Sequence, residues 1–355
     1  MFGNHLIVGV SGTVLTDEDK RILSTIKPVG VCFFAKNFRD GEPYEVWLET
    51  YKKINQEIRE YTERESMFIS IDHEGGRVIR PPLPITRFPY SYVCRKRARE
   101  VASAMAIELK SLGINVSWAP VADIFSNPNN PIIGPRSFDT TPETAAEYAR
   151  EFFLGLKESG ITACAKHFPG HGDTNTDSHL SLPILNLTKE AIQQRELIPF
   201  KTLIAEKIPL IMTAHILFPE IGGDKPATFS QPILSQILRK ELGFEGVVVS
   251  DDLDMKAVAD MYDKSGTVAN TLNAGCDIFL MCGNLPSSST ERIEFIAEDF
   301  KKSLENGSLD ESVVAAANGR IEKLLNQTPQ YSVEMLDKEI LLKHAELAID
   351  CSFDN

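Results

Sequence analysis

Short apolar runs rich in Val, Ile and Phe alternate with helical patterns along almost the whole sequence. Each run is followed by a turn and then by a stretch of helical periodicity, as parallel strands joined by helices require. Eight strand–helix units predict an α/β protein with a (β/α)8 fold, the TIM barrel, with an open doubly wound sheet as the alternative. The eight runs lie at residues 5–10, 29–35, 67–72, 114–120, 161–167, 209–215, 246–251 and 277–282.

Two further helical patterns, at 310–325 and 338–349, follow the eighth run. We expect residues 1–327 to form the barrel as a single domain, and residues 328–355 to form a short C-terminal helical tail without a second domain. The helical patterns of the strand–helix units fall at residues 42–63, 95–112, 142–159, 188–206, 231–242, 265–274 and 289–306.

The composition narrows the classes of partner. The 355 residues are 43% hydrophobic and carry a formal net charge of −13, which disfavours nucleic acid and anionic membranes as partners. No apolar run reaches the roughly 18 residues of a membrane span, and the N-terminus does not resemble a secretory leader. Six scattered cysteines suit a reducing compartment. We therefore expect a cytoplasmic protein that acts on a small molecule, and we make no prediction of its oligomeric state.

The segment 166–179 holds a lysine, three histidines and two aspartates between glycines and a proline. It follows the fifth apolar run, so we expect a loop at the carboxyl end of a strand, where α/β enzymes hold their chemistry. Asp177 and His179 lie two residues apart, and a carboxylate that binds one imidazole nitrogen leaves the other free to exchange a proton with a substrate. A zinc site is the alternative, but no H-E-x-x-H helix or cysteine cluster accompanies it. We predict neither metal nor cofactor.

Other polar side chains stand at the ends of the predicted strands, where burial is costly unless they are paired or functional. One shared pocket at the rim of the barrel explains them all. These residues are Asp72, His73, Glu74, Asp123, Lys166, His167, His215, Asp251 and Asp252.

Three of these regions predict particular roles. Around Gly75-Gly76 we expect Asp72 and Arg80 to contact a ligand, and Glu74 and Arg77 only to hold their loop. Arg136 lies in a long rim loop, a usual place for substrate binding. Asp251 leaves a buried strand directly and could be a nucleophile or a base, whereas Asp252 and Asp254 are expected to cap the next helix.

These motifs together resemble family 3 glycoside hydrolases, in the branch of single-domain bacterial β-N-acetylglucosaminidases that recycle cell wall. The resemblance extends from residue 5 to about residue 325. The motifs that carry it are Asp72-His73-Glu74-Gly75-Gly76-Arg77-Val78, Arg136-Ser137-Phe138, the whole segment 166–179, and Ser250-Asp251-Asp252-Leu253-x-Met255. The chain departs from the family pattern at His73, where Gln is usual, and at Asp139, where Gly is common.

The resemblance implies a role for each matching residue. Asp251 falls on the nucleophile, His179 on the acid/base, and Asp177 on the residue that orients that histidine. The implied reaction is the removal of terminal β-linked N-acetylglucosamine, as from peptidoglycan fragments, through a covalent glycosyl–aspartate intermediate with retention of configuration. Substrate contacts carry over to Asp72, Arg80, Arg136, Lys166, His167 and His215.

Three alternatives remain open at this point. A histidine acid leaves the pocket less hostile to an anion than a carboxylic acid does, so phosphate could replace water and give a phosphorylase. A β-glucosidase shares the barrel and the nucleophile, but glucosidases of this family generally take their acid from a second domain. A catalytically silent sugar-binding protein would lack the nucleophile or the histidine–aspartate pair, and this sequence has all three residues.

Overall fold

The computed structural model describes residues 2–175, 182–258, 266–285 and 290–353. Eight parallel strands close into a barrel in the order β1-β10-β9-β8-β7-β6-β3-β2, and β4 and β5 form a separate antiparallel pair. Each predicted apolar run coincides with one barrel strand, so the predicted (β/α)8 barrel is confirmed. The strands are β1 Leu6–Val8, β2 Gly30–Phe33, β3 Phe68–Ile71, β4 His73–Gly75, β5 Val78–Ile79, β6 Val116–Ser117, β7 Thr162–Phe168, β8 Leu210–Thr213, β9 Val247–Asp252 and β10 Ile278–Met281.

Two apolar layers hold the barrel together. Side chains such as Ile7, Trp118 and Val249 belong to a cluster drawn from alternate strand positions, which fills the barrel interior. A larger cluster, including Val31 and Phe153, packs the other strand face against the helices. Because parallel strands in a barrel are covered on both faces, they appear in the sequence as continuous apolar runs.

The predicted helical patterns coincide with helices of the structure, and a turn divides one of these patterns. The pattern at 188–206 divides in two, because Arg195 leaves helical geometry at φ −130° and ψ −77°. The second helix starts only two residues before Pro199, since proline is tolerated in a first turn but not in a helix interior. The α-helices that lie wholly within the described residues are Asp17–Ile26, Tyr44–Thr62, Ser91–Cys94, Ala98–Ser111, Pro142–Glu158, Lys189–Gln194, Leu197–Ala205, Pro219–Gly222, Thr267–Ala274, Thr290–Glu305, Glu311–Gln327 and Lys338–Cys351, with a π-helical segment at Pro232–Glu241.

The hairpin of β4 and β5 was not predicted from the sequence. Its turn needs Gly75 and Gly76, whose φ angles are +97° and +57°. A side chain on either residue would also collide with the chain opposite, since a Cβ on Gly75 would lie 2.3 Å from the carbonyl oxygen of Pro89. The hairpin follows β3 directly and stands beside the carboxyl ends of the strands.

Residues after the barrel return along its outside. Val333 forms an isolated antiparallel bridge with Leu112, and the helix Lys338–Cys351 then packs against Ala98–Ser111 and Ser91–Cys94. Within the described ranges, no helix is both long enough and apolar enough to cross a membrane.

Candidate active site

A cavity of about 380 Å³ opens at the carboxyl ends of the barrel strands. Apolar side chains, among them Phe34, Trp118 and Met212, form part of its wall. Of the residues predicted to form a site, it brings together Asp72, Arg80, Arg136, Lys166, His167 and Asp251. Asp177 and His179 lie outside the described residues.

Lys166, at the end of β7, is the central cation of the cavity. Its Nζ lies 2.7 Å from Oδ1 of Asp72 and 2.5 Å from Oε1 of Glu74. Burial alone would lower the pKa of Lys166, but the two carboxylates outweigh it and raise the pKa. Burial likewise opposes ionisation of Asp72, and the charges of Lys166 and Arg80 nevertheless hold its pKa below the usual value. The amine and both acids are therefore charged at neutral pH.

Glu74 has a larger part in the cavity than holding its own loop. Arg136 donates from Nε to Oε2 at 2.8 Å and from Nη2 to Oε1 at 2.9 Å, the bidentate geometry of a strong ion pair. Burial would raise the pKa of Glu74, but Arg136 and Lys166 lower it far below its usual range. Arg80 contacts Asp72 at 3.3 Å and lies over the Phe34 ring at 5.5 Å. Glu74 thus joins the rim-loop arginine to the strand-end lysine.

Asp123 orients His167. The sequence predicted Asp123 at the end of a strand but predicted no particular role for it. The Asp123 carboxylate accepts from Nδ1 of His167 at 2.7 Å and from the backbone N–H of His171 at 2.7 Å. Burial would raise the pKa of Asp123, but His167 lowers it and the net shift is downward. With Nδ1 donating to a carboxylate, Nε2 of His167 is the ring nitrogen available to the cavity.

Asp251, in β9, presents a carboxylate to the same cavity. Its Oδ1 accepts from the backbone N–H of Asp252 at 2.8 Å. Burial opposes ionisation, but nearby His167 and His215, that N–H and the charge of Lys166 leave the pKa of Asp251 lowered. Because burial also lowers the pKa of His215, its contribution is lost at neutral pH, whereas those of the N–H and of Lys166 persist. Asp251 is therefore an ionised carboxylate in a partly desolvated position.

His215, predicted from the sequence as a substrate contact, is absent from the cavity wall. It is 1% exposed, and its two ring nitrogens lie 2.8 Å from Oγ1 of Thr228 and 3.1 Å from the carbonyl oxygen of Asp252. A carbonyl oxygen can only accept, so Nε2 carries the proton and Nδ1 accepts from the threonine. His215 thus supports the backbone beside Asp251, and its contact with a substrate stays a prediction.

Asp252 and Asp254 fasten the end of β9 to the segment after β10. Oδ1 of Asp252 accepts from the backbone N–H groups of Asp254 and Cys282, at 3.1 and 3.2 Å. Asp254 accepts from the N–H of Gly283 at 3.1 Å and pairs with Arg292 at 3.0 Å. Burial and the neighbouring Asp254 raise the pKa of Asp252 to about 7. These bonds connect two strand ends, and the helix capping expected for both residues stays a prediction, because the helix that follows continues outside the described residues.

Both departures from the family pattern lie away from the cavity wall. His73 is 1% exposed and turns away from the cavity, and burial lowers its pKa to about 4. Asp139 pairs with Arg95 at 3.2 Å. In the part of the chain that the structure describes, no group of three His, Cys, Asp or Glu side chains could hold a metal ion.

A closed (β/α)8 barrel with an ionised, desolvated carboxylate among buried cations at its carboxyl face is the architecture of a barrel enzyme. The chain belongs to glycosyl hydrolase family 3 and is a glycoside hydrolase, since residues 7–324 match the sequence model of the glycosyl hydrolase family 3 N terminal domain.

Curated relatives agree with membership of this family. The chain is 34% identical over 345 residues to beta-hexosaminidase A of Pseudoalteromonas piscicida, covering 91% of this chain and 57% of that protein. It is 35% identical over 290 residues to a beta-hexosaminidase of Thiobacillus denitrificans, covering 79% of this chain and 78% of that protein. The chain thus spans little more than half of the Pseudoalteromonas protein and most of the Thiobacillus one.

Solved structures are similar over nearly the whole chain. A family 3 beta-N-acetylglucosaminidase from Paenibacillus has a TM-score of 0.87 at 30% identity, covering 98% of this chain and 67% of that one. NagZ from Neisseria gonorrhoeae, in complex with N-trifluoroacetyl-D-glucosamine, has a TM-score of 0.76 at 30% identity and covers 98% of both chains.

Proposed function

We propose that this chain is a retaining β-N-acetylhexosaminidase that removes terminal, non-reducing β-linked N-acetylglucosamine from glycosides such as peptidoglycan fragments. The names of the similar proteins support the choice of sugar. The observation that carries the proposal is the Asp251 carboxylate, which is ionised, fixed by a backbone N–H and exposed to the one cavity in which the charged strand ends meet. Such a carboxylate is suited to covalent attack on an anomeric carbon.

In the first step Asp251 attacks the anomeric carbon of the bound sugar while an acid protonates the departing glycosidic oxygen. In the second step the group that served as the acid acts as a base and takes a proton from water. The water oxygen then displaces Asp251 from the sugar. His179 is proposed as this acid and base, with Asp177 as its orienting carboxylate. Both assignments rest on the sequence, since these residues lie outside the described ranges.

The remaining charged groups of the cavity are proposed to hold the sugar ring. Lys166 can donate to hydroxyl oxygens, whereas the exposed lone pairs of Asp72 and Nε2 of His167, whose Nδ1 already carries the proton, can accept from hydroxyl groups. Because these side chains are already fixed by Glu74 and Asp123, they need little reorganisation as positive charge develops on the ring. Arg80 and Arg136 complete the proposed contacts from the hairpin and the rim loop.

The test compares chromogenic N-acetyl-β-glucosaminide with the corresponding β-glucoside, each with and without phosphate. We expect turnover of the first substrate, little of the second, and free N-acetylglucosamine as the product in the presence of phosphate. A sugar phosphate as the main product would make the chain a phosphorylase, and preference for the glucoside would make it a β-glucosidase.

The nucleophile is tested separately with Asp251→Asn, which keeps the shape of the side chain and removes its charge. We expect loss of turnover by a factor of about 10³ or more, with an unchanged melting temperature. A fluorinated mechanism-based sugar should label the native protein at Asp251. A label on Asp252 or Asp254, found by mass spectrometry of peptides, would contradict the assignment.

A further inference from the structure

A buried polar cluster outside the cavity wall joins the C-terminal helix to the barrel. Glu108, in the helix Ala98–Ser111, is fully buried. Its Oε1 lies 2.8 Å from Nδ1 of His344, which belongs to the helix Lys338–Cys351 and is itself 8% exposed. Buried carboxylates are found where several donors converge on them, so the other contacts of Glu108 indicate what it holds.

The other donors to Glu108 come from a single residue, Thr86. Its backbone N–H donates to Oε2 at 2.9 Å, and its hydroxyl donates to Oε1 at 2.5 Å. Glu108 thus receives two donors from Thr86 and one from the C-terminal helix. This fixes the start of the segment 86–91, which has no strand of its own to hold it.

The segment 86–91 in turn supports the hairpin of β4 and β5. The carbonyl oxygen of Phe88 accepts from the N–H of Gly76 at 2.8 Å, and the Ser91 hydroxyl donates to the carbonyl oxygen of Glu74 at 3.4 Å. The fit is close, because a Cβ on Gly76 would lie 2.1 Å from Cδ1 of Tyr90. A shift of this segment would therefore move the hairpin.

The hairpin carries the carboxylate that holds the cavity cations. Glu74 lies in β4 and binds Lys166 and Arg136, while Asp72 immediately precedes the hairpin. Hydrogen bonds therefore connect His344 to Glu108 and Glu108 to Thr86. The segment 86–91 then connects Thr86 to the hairpin that carries Glu74.

We propose that Glu108 and His344 are positioning residues of the active site, through which the C-terminal helix sets the place of the hairpin that carries Glu74. The inference rests on the proposed function of the cavity. Neither residue touches substrate. A displacement of the hairpin by a fraction of an ångström alters the contacts of Lys166 and Arg136, and misplaced binding groups reduce catalysis more than they reduce binding.

The test compares Glu108→Gln and His344→Leu with Leu341→Ala in the full chain. Leu341 is buried on the same C-terminal helix and takes no part in the hydrogen bonds to Glu108, so its truncation loosens the helix without breaking them. Glu108→Gln replaces an acceptor with an NH2 group that faces donors. We expect kcat/KM on N-acetyl-β-glucosaminide to fall about tenfold or more in Glu108→Gln and His344→Leu, mostly in kcat.

Two comparisons separate positioning from simple loss of stability. Leu341→Ala should lose less than about twofold of kcat at a melting temperature as low as that of His344→Leu. Thr86→Ala should behave like Glu108→Gln, whereas Thr86→Ser keeps both donors and should restore activity. Losses that follow melting temperature alone across the five variants would overturn the proposal.

A second measurement does not depend on the substrate. Hydrogen exchange of the Gly76 amide, which donates to Phe88, should be about tenfold or more faster in His344→Leu and unchanged in Leu341→Ala. Inactivity of the native chain on the glucosaminide with this exchange pattern intact would refute the proposed function and leave the coupling standing. Unchanged exchange in His344→Leu would refute the coupling.

Discussion

Nζ of Lys166 lies 2.5 Å from Oε1 of Glu74, and both side chains are almost entirely shielded from solvent. Arg136 occupies the other side of the same carboxylate. One buried carboxylate therefore binds two buried cations, and the carboxylate of Asp72 also binds Lys166. Such an arrangement is stable only while complete, because a missing partner leaves an uncompensated charge in a medium of low polarity.

Glu74→Gln should destabilise the protein as well as inactivate it. The amide keeps the shape but leaves Lys166 and Arg136 short of negative charge, so we expect a loss of about 3–5 kcal/mol of unfolding free energy. Chemical denaturation measures this. The control is Glu151→Gln, which removes a partly exposed partner of Arg99 and Arg150 and should change the unfolding free energy by less than about 1 kcal/mol. Equal stability of the two variants would contradict a structural role for the Glu74 charge.

His215→Ala should lower kcat while leaving KM nearly unchanged. His215 supports the carbonyl oxygen of Asp252 and does not line the cavity, so its loss displaces Asp251 without removing a sugar contact. We expect a fall in kcat of about 10–100-fold. His215→Gln retains an N–H donor and should recover part of the rate. A rise in KM at constant kcat would show instead that His215 binds substrate.

The contribution of Glu196 to stability should decrease as pH rises from about 4.5 to 7, whereas buried His73, whose pKa is lowered to about 4, acts in the opposite direction over the same range. Burial raises the pKa of Glu196 from 4.5 to about 7, against the opposing effect of Arg195. The folded state therefore holds this proton more tightly than the unfolded state, so the stabilisation is complete below pH 4.5 and is lost by about pH 7. The raised pKa of Asp252 acts in the same window.

Urea denaturation at pH 5 and pH 8 tests this expectation. Glu196→Gln removes this titration, so the stability at pH 8 relative to that at pH 5 should be higher in the variant than in the native protein. Glu190→Gln, at an exposed position nearby, should retain the native difference. Identical pH differences in the native protein and in Glu196→Gln would rule out this group as the cause.

His179→Ala should impair the turnover of natural disaccharides far more than that of activated aryl glycosides. A sugar leaving group needs a full general acid, whereas a nitrophenolate departs with little protonation. We expect a difference of about 10² between the two losses, and a smaller difference for Asp177→Asn, which keeps the histidine. Equal losses on both substrates would restrict His179 to binding, and the acid would have to be sought among Glu74, His171 and Asp173.

The sequence by itself determined the barrel and most of the charged groups that line the cavity. Parallel strands buried on both faces require continuous apolar runs, so eight runs were sufficient to predict eight strands. Because the carboxyl ends of those strands meet at one rim, polar residues at the run ends, such as Asp72, Lys166 and Asp251, could be assigned to one site before any contact was known.

Tertiary structure alone decided which of those polar residues face the cavity and which hold them in place. Glu74 and Arg136 are 62 positions apart, and Glu108 and His344 are 236 apart, so no local pattern reveals either pair. His215 follows the end of a barrel strand and is as polar as the cavity residues, yet its ring turns to Thr228 and the backbone of Asp252. A motif specifies where a side chain starts, but its partners depend on long-range packing, because a buried polar group must bind whichever donors and acceptors the fold brings to it.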